Sequence, residues 1–462
     1  MNPSGPLKVA VVGSGPSGFY AAEALLAAGA EVDLIERLPT PFGLVRFGVA
    51  PDHPKLKQVC QNFTEIASHE RFAFFGNVTL GSDVAVDELR ELYDAVVVAS
   101  GASADRKLGV PGEDLAGSWS ATEFVAWYNG HPDFRDRTFD LSGDAAVILG
   151  QGNVAIDVCR LLSKSADELR QTDISAHALE ALAESHIRDI HLVGRRGPAQ
   201  AKWTAKELRE LGLLTEAEVA LEPADLVLGA ACEAELSDPR GQSAAQSFKI
   251  LKTFQARAAG QKRKTIHLRF NLNPAAIEGQ GRVESVIFER CSLTGEPFAQ
   301  VATPTGETAA IAAAAVFRSV GYRGVMTEGL PFDARSGAIP HDRGRVLETG
   351  APVPGVYVAG WIKRGPSGVI GVNRACSLET IESLLADIVR PSPGKVGRRA
   401  LASLLEKRKT HAVDFNGWKR IDAAERQIGS ENGKPREKLT SIADMLVVAN
   451  GARVGHGPFL LQ

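Results

Sequence analysis

Two glycine clusters, and the charged residues that follow them, carry most of the chemistry this sequence offers. Gly13-Ser14-Gly15-Pro16-Ser17-Gly18 is a G-x-G-x-x-G run, and Gly150-Gln151-Gly152-Asn153-Val154-Ala155 repeats it with Ala in the last place. In such a run the first glycine permits a tight turn, the second lets the backbone approach a pyrophosphate, and the third lets a helix lie close on a strand. The phosphates then sit at a helix N-terminus, where unpaired amides and the dipole favour an anion. Glu36 stands 18 residues past Gly18. An acid there can bind both hydroxyls of an adenine ribose and repels a 2′-phosphate, which suits FAD or NAD. The corresponding strand of the second unit ends in Gly194-Arg195-Arg196. Two guanidiniums match a phosphate in charge and geometry and predict an NADP(H) site, against the plainer alternative of a solvated surface pair. Two dinucleotide sites of opposite ribose chemistry are the arrangement expected where hydride passes from a nicotinamide to a flavin.

The elements that must hold these residues can be read around them. Leu7 to Val12 is a buried β-branched run, FYAAEALLAAG is helical, Glu31 to Ile35 is a second strand, and DAVVVASGA closes the unit. AAVILGQGNVAIDVCRLL repeats strand, turn and helix, and the strand Ile190 to Val193 follows late, after a polar helical insertion from about Ser163 to Ser185. Near residue 356, GVYVAG predicts another strand, followed by Trp361-Ile362-Lys363-Arg364-Gly365-Pro366-Ser367-Gly368-Val369-Ile370-Gly371 and the helical RACSLETIESLLADIV. Pro391-Ser392-Pro393-Gly394 marks a turn before a polar helical tail of no evident purpose. The expected fold class is α/β, with two Rossmann-like dinucleotide-binding domains, the NADP domain inserted in the FAD domain. The expected boundaries are 1–103 and 326–462 for the flavin domain and 104–325 for the NADP domain, with glycine-rich crossings near Ala104 and in SVGYRG.

Composition narrows the function classes. The 462 residues are 44% hydrophobic and 23% charged, enough to bury a substantial core and unlike a disordered chain. Charges of 52 and 55 leave a net −3, with no global basic excess to suggest nucleic acid as a partner. No run of 18 or more apolar residues predicts a membrane span, and the opening MNPSGPLK passes directly into the strand-like KVAVVG, which predicts a cytoplasmic protein. The five cysteines are scattered and no C-x-x-C occurs. A thioredoxin-like pair, a zinc ribbon and an intrinsic iron–sulfur cluster all need thiolates clustered at short spacing, and no metal is expected.

Six segments together resemble the adrenodoxin reductase family, which includes bacterial NADPH–ferredoxin reductases. They are GSGPSGFYAAEALL, PTPFGLVRFGVAPDHPKLK (39 to 57), GQGNVAIDVCRLL, VGRRGPAQAKWTAKELREL, FRSVGYRG and GWIKRGPSGVIG. The resemblance covers nearly the whole chain, with least signal at about 215 to 310 and after 390. It implies a ferredoxin–NADP(+) reductase in which NADPH gives hydride to FAD, and single electrons then leave to a ferredoxin-type iron–sulfur protein. The alternative is an NADPH-dependent diaphorase that reduces a small organic acceptor. A third reading is a non-catalytic NADP-sensing protein with a structural flavin.

Residue by residue, the resemblance implies FAD contacts at Ser17, Glu36, Leu44, Leu80, Trp361, Gly368, Val369 and Ile370. It implies NADP contacts at Arg106, Gln151, Gly152, Asn153, Val154, Arg195, Arg196, Glu207 and Gly368. Glu207 can bond the nicotinamide carboxamide, but Thr204-Ala205-Lys206-Glu207 also fits a capping box in which Glu207 reaches back to the Thr204 amide. His53, in Asp52-His53-Pro54, can organise water or relay a proton near the flavin, or be a turn histidine satisfied by its neighbours. Trp361 can cover apolar cofactor surface or be an ordinary half-buried aromatic. Lys202, Lys206 and Arg209 form either a basic rim for an acidic partner or a solvated face.

Overall fold

The computed structural model describes residues 5–257, 260–368 and 370–452. It separates into two compact units: Met1–Ala104, Asn129–Arg135 and Gly321–Gln462 form the first, and Asp105–Tyr128 with Asp136–Val320 the second. Three details differ from the boundaries expected above. Ala104 belongs to the first unit, the return crossing comes at Gly321 rather than 326, and 129–135 leaves the middle range for the first unit. That segment is held by an ion pair of Asp133 with Arg37 at 2.7 Å and by the His131 ring against Phe47, with centroids 4.8 Å apart.

The first unit is built on a seven-stranded sheet, in the order His341–Asp342, Arg345–Glu348, Ala351–Val358, Ala95–Val98, Lys8–Val12, Glu31–Ile35, Phe72–Phe75. The last five strands are parallel, and Val12 lies level with both Ile35 and Val98. Their valine-rich runs are buried on both faces, as a parallel sheet covered on both sides requires. The glycine loop therefore emerges at the carboxyl end of a central strand. Helix Pro16–Ala27 starts there with Pro in its first turn, where no amide partner is lost, and packs Phe19 against Phe63 at 4.8 Å. The C-terminal tail forms helices Arg398–Lys407, Phe415–Glu431 and Ile442–Ala449. It is part of the same core: Trp418, Ile421 and Met445 pack with Phe42 and Phe63, while Leu401 and Leu405 join the cluster containing Val96 and Val358.

The second unit has a six-stranded parallel sheet, in the order Ser118–Ser120, Ala315–Arg318, Ala145–Leu149, Asp189–Val193, Lys264–Arg269, Ala217–Ala220. Helix Asn153–Ser163 follows the second glycine loop, and the expected insertion consists of two short helices, Ala166–Arg170 and Ala176–Ala183. An antiparallel sheet of Leu272–Glu278, Ser285–Thr294 and Val301–Ala312 packs Val286 and Phe288 against Val147, Leu149 and Val193. No sequence motif marks it. Among the described residues no helix is long and apolar enough to cross a membrane.

Candidate dinucleotide sites

The glycines of the two loops divide their work in the same way. Gly13 has φ 104°, and a Cβ on it would lie 2.4 Å from the Ala99 carbonyl oxygen; Gly150 has φ 130°, with a Cβ 2.2 Å from the Ser319 carbonyl oxygen. These two positions admit only glycine. A Cβ on Gly18 would lie 1.9 Å from the Gly13 carbonyl oxygen, so helix and turn touch there. Gly15 and Gly152 face open space, with nothing within 4 Å of their Cβ positions. Each stands at the N-terminus of a helix. Each loop is thus a cradle at a helix start into which an anion's oxygens fit, as a dinucleotide's pyrophosphate requires.

Glu36 directly follows strand Glu31–Ile35, beside the first cradle. One carboxylate oxygen accepts the Ser14 amide at 3.0 Å and the Ser14 hydroxyl at 2.7 Å, and the other accepts the Leu38 amide at 3.1 Å. The carboxylate is fixed where ribose hydroxyls would donate to it. The segment after Glu36 folds back on the loop. The Phe42 amide donates to the Ser14 carbonyl at 3.0 Å, and a Cβ on Gly43 would lie 3.1 Å from the Gly15 Cα. Leu44 then opens helix Leu44–Phe47 as an exposed residue, and Leu80 is half-buried in a bridge with Val84. The Ser17 hydroxyl donates to Asn373 at 3.1 Å, so what Ser17 presents to a ligand is its amide in the first helical turn. Trp361 opens helix Trp361–Arg364 after Gly360 and lies 5.6 Å from the Tyr322 ring; its buried Nε1 has no partner among the described residues. Gly368 is exposed with φ 81°, Val369 lies outside the described residues, and Ile370 opens helix Ile370–Asp387.

In the second unit Gln151 and Asn153 turn their side chains to the protein. Gln151 Nε2 donates to the Arg269 carbonyl at 3.0 Å, and Asn153 Oδ1 accepts the Thr204 amide at 2.9 Å. Like Val154, Asn153 offers a nucleotide its backbone amide in the first turn. Arg106 and Arg195 are exposed and Arg196 is half-buried. Near Arg196 lies the buried Glu235, which accepts bonds from Gln300 Nε2 at 2.7 Å, the Phe298 amide at 2.6 Å and Gln200 Nε2 at 2.9 Å. Burial works against its charge, but these bonds and the Arg196 guanidinium together hold its carboxyl below the usual range.

Comparison with known proteins decides between dinucleotide enzymes that share these cradles. Residues 7–191 match the family described as pyridine nucleotide-disulphide oxidoreductase. The chain is 46% identical over 468 residues to the mitochondrial NADPH:adrenodoxin oxidoreductase of Arabidopsis thaliana, covering 96% of each. It is 43% identical over 461 residues to the NADPH-ferredoxin reductase FprA of Mycobacterium tuberculosis, covering 96% of this chain and all of that one. The solved structure of that FprA in complex with NADPH superposes with a TM-score of 0.90 over 96% of this chain. The chain belongs to the adrenodoxin reductase family of NADPH–ferredoxin reductases.

As a member of that family it is a flavoprotein oxidoreductase, and the disulphide chemistry in the broader description finds no cysteine pair here, since all five cysteines are free. The α/β fold expected from the strand, turn and helix pattern is the fold of the family. Of the two residues singled out for chemistry, Glu207 is buried in helix Ala205–Leu211. Thr204 Oγ accepts the Glu207 amide at 3.3 Å, but the Thr204 amide is taken by Asn153, so the reciprocal half of the capping box is not formed. The Glu207 carboxylate lies instead 3.5 Å from Nη1 of Arg160, a 2%-exposed arginine that also pairs with Asp157 at 2.7 Å. His53 is buried at the start of helix Pro54–Lys57, its amide donating to the Ala50 carbonyl at 3.0 Å and its carbonyl accepting the Leu56 amide at 3.1 Å. Sequence reasoning missed Arg46, Arg160 and Asn373. The first two carried a signal, each being a charge set in an apolar run, FGLVRFGV and VAIDVCRLL, where burial demands a partner.

Proposed function

We propose that the chain is an NADPH–ferredoxin oxidoreductase, with FAD on the first glycine loop and NADPH on the second. One observation carries this reading: at equivalent places beside two open cradles, the first unit sets the fixed carboxylate of Glu36 and the second sets Arg195 and Arg196. FAD supplies acceptance of a hydride as an electron pair and release of its electrons one at a time. The chain does the rest by positioning. The amides of Gly15 and Ser17 hold the FAD pyrophosphate, Glu36 accepts the ribose hydroxyls, and Leu44, Leu80 and Trp361 cover apolar cofactor surface. Gly368 and Ile370 bring amides at the start of helix Ile370–Asp387 to the flavin's polar edge, and Val369, implied by the family resemblance, lies outside the described residues. On the nucleotide side, Gly152, Asn153 and Val154 hold the pyrophosphate. Arg195 and Arg196, with Arg106, read phosphate, and Glu207 receives the nicotinamide carboxamide. His53 is assigned to exchanging a proton at a ring nitrogen near the flavin. Electrons leave to an acidic ferredoxin-type protein, as the similarity to NADPH-ferredoxin reductases supports. Five free cysteines suit a reducing compartment such as the cytoplasm.

Anaerobic titration of the purified protein with NADPH tests the reading. Bound flavin should bleach, and added ferredoxin should restore its absorbance. A flavin that NADPH cannot bleach would show a sensing protein. Rapid reduction of a quinone or dye, with no stimulation by any ferredoxin, would show a diaphorase.

A further inference from the structure

We propose that the C-terminal helical tail is a strap that retains FAD, in which Glu425 is a positioning residue acting through Arg46 to hold residues 42–47 against the first glycine loop. This rests on the assignment of FAD to that loop. Glu425, on helix Phe415–Glu431, is fully buried, and Arg46 is 5% exposed. The two guanidinium ends of Arg46 meet the two carboxylate oxygens at 2.9 and 2.5 Å, the fork-on-fork geometry that fixes orientation as well as distance. Glu425 is itself held from the tail side, by Arg436 at 2.7 Å and the Leu439 amide at 3.0 Å, while Arg436 also meets Asp422 at 2.5 Å. Arg426 pairs with the other oxygen of Asp422 at 2.9 Å from the exposed side, so every carboxylate of the cluster is held by guanidiniums. On the same helix Trp418 sets its ring edge-on to Phe42, centroids 5.6 Å apart at 87°, and lies under the Arg46 guanidinium at 5.1 Å.

What this assembly grips is a strained segment. Phe42 has φ 85°, a conformation that side-chain-bearing residues other than Asn and Asp seldom adopt, and it persists only where surroundings over-determine it. In that conformation its amide reaches the Ser14 carbonyl, and Gly43 lies against Gly15, the residue that opens onto the pyrophosphate cradle. Trp418 and Glu425, the latter 379 residues from Arg46 in sequence, therefore close one side of the cradle from the tail, and release of the tail would let the segment relax off the loop.

The test uses the full-length holoenzyme and reads FAD release by the rise of free-flavin fluorescence after dilution, with Tm measured in parallel. Glu425→Gln keeps the shape and removes the charge. It should speed FAD release by about tenfold or more, a change of about 1.4 kcal/mol. Arg46→Met should do the same, and the double variant should add little, because the two residues act as one device. Asp387→Asn is the control: it breaks the Arg345–Asp387 pair of 2.7 Å in the same unit, outside the tail helices, and should lower Tm without speeding release. Should Glu425→Gln fail to fold, Trp418→Leu gives the same reading through the contact with Phe42. Release at the wild-type rate, or at the control's rate when each is compared equally far below its own Tm, overturns the strap. Wild-type protein that binds no FAD would instead overturn the flavin assignment.

Discussion

Asn153 Oδ1 accepts the Thr204 backbone amide at 2.9 Å, and this bond ties the second glycine loop to the helix that carries Glu207. The loop assigned to pyrophosphate and the carboxylate assigned to the carboxamide thus share one side chain as a fixed point. Asn153→Ala frees the Thr204 amide and leaves the helix start to drift. A net hydrogen bond is worth about 0.5–1.5 kcal/mol. The variant should therefore lose roughly 2- to 13-fold in kcat/KM with NADPH, while the flavin unit keeps its FAD. Steady-state kinetics beside flavin content checks this, and loss of FAD would place the defect elsewhere.

The second and third glycines of the first loop should fail differently when substituted. Gly15 has ordinary extended dihedrals and open space at its Cβ, so Gly15→Val should fold with a Tm near that of the parent apoprotein, yet purify with little FAD. Gly18→Ala places a methyl 1.9 Å from the Gly13 carbonyl oxygen and should lose about 1–3 kcal/mol or more of stability even without cofactor. Flavin content and thermal unfolding of both variants check this, and equal Tm losses would contradict it. Recovery of protein holding only FMN would contradict the assignment of Glu36, which addresses an adenosine ribose that FMN lacks.

These contrasts also show what a sequence displays and what it hides. The turn at Gly13, the cradle at Gly15 and the acid at Glu36 depend on residues within one strand, turn and helix, so short-range spacing is enough to find them. Gly150, Gly152 and Arg195 follow by the same logic. Spacing leaves Glu207 between the nicotinamide carboxamide and the Thr204 amide and says nothing of a protein partner for the Ser17 hydroxyl; packing brings Arg160 to Glu207 and Asn373 to Ser17. Nothing local pairs Arg46 with Glu425, 379 residues on, or moves 129–135 to the first unit. Long-range pairing is decided by which buried charges meet, and single-chain periodicity carries no record of it.

NADPH should be preferred to NADH because of Arg195 and Arg196, and the two should contribute unequally. Arg195 is exposed, while Arg196 lies under the field of the buried, ionised Glu235. A charge-assisted contact is worth about 1.5–3 kcal/mol, so Arg195→Ala should weaken NADPH use roughly 10- to 150-fold and scarcely touch NADH. Arg196→Ala should do less. Paired kinetics with both nucleotides decides it, and a double variant that keeps its preference would show the 2′-phosphate to be read elsewhere.

Stability of the second unit should fall with pH through His191. This residue stacks on His267 across neighbouring strands, with centroids 4.5 Å apart. Burial first, then the His267 and Arg269 charges, pull its pKa from 6.5 down to about 4, with Asp189 opposing. Between those values the unfolded chain binds a proton that the folded chain refuses, so stability drops as pH falls from about 6.5 toward 4. His191→Phe should flatten that part of a Tm–pH curve. An unchanged slope would assign the acid sensitivity to other groups.

The last prediction concerns the electron acceptor. Lys202, Lys206 and Arg209 are exposed on and just before helix Ala205–Leu211, and none of the three joins an ion pair among the described residues. Glu207 and Glu210 alternate with them in sequence and on that ground would dilute the patch. Both acids, however, lie at 3.5 and 3.6 Å from Nη1 of the buried Arg160. Glu207 is buried and Glu210 half-buried, so the helix turns its cations outward and these acids toward its own unit. A partner arriving from solvent meets mainly the positive face. If an acidic iron–sulfur protein docks there, raising salt from low to about 0.5 M should slow ferredoxin reduction steeply, because steering between exposed charges is screened within roughly 10 Å at 0.1 M salt. Reduction of a small neutral dye by the same enzyme should barely respond. Lys206→Glu with Arg209→Glu should repeat the pattern at constant salt, lowering the ferredoxin rate about tenfold or more and sparing the dye rate. Equal losses in both assays would mean that the reversals reached Glu207 through Arg160 and disturbed hydride transfer, and the docking face would then lie elsewhere.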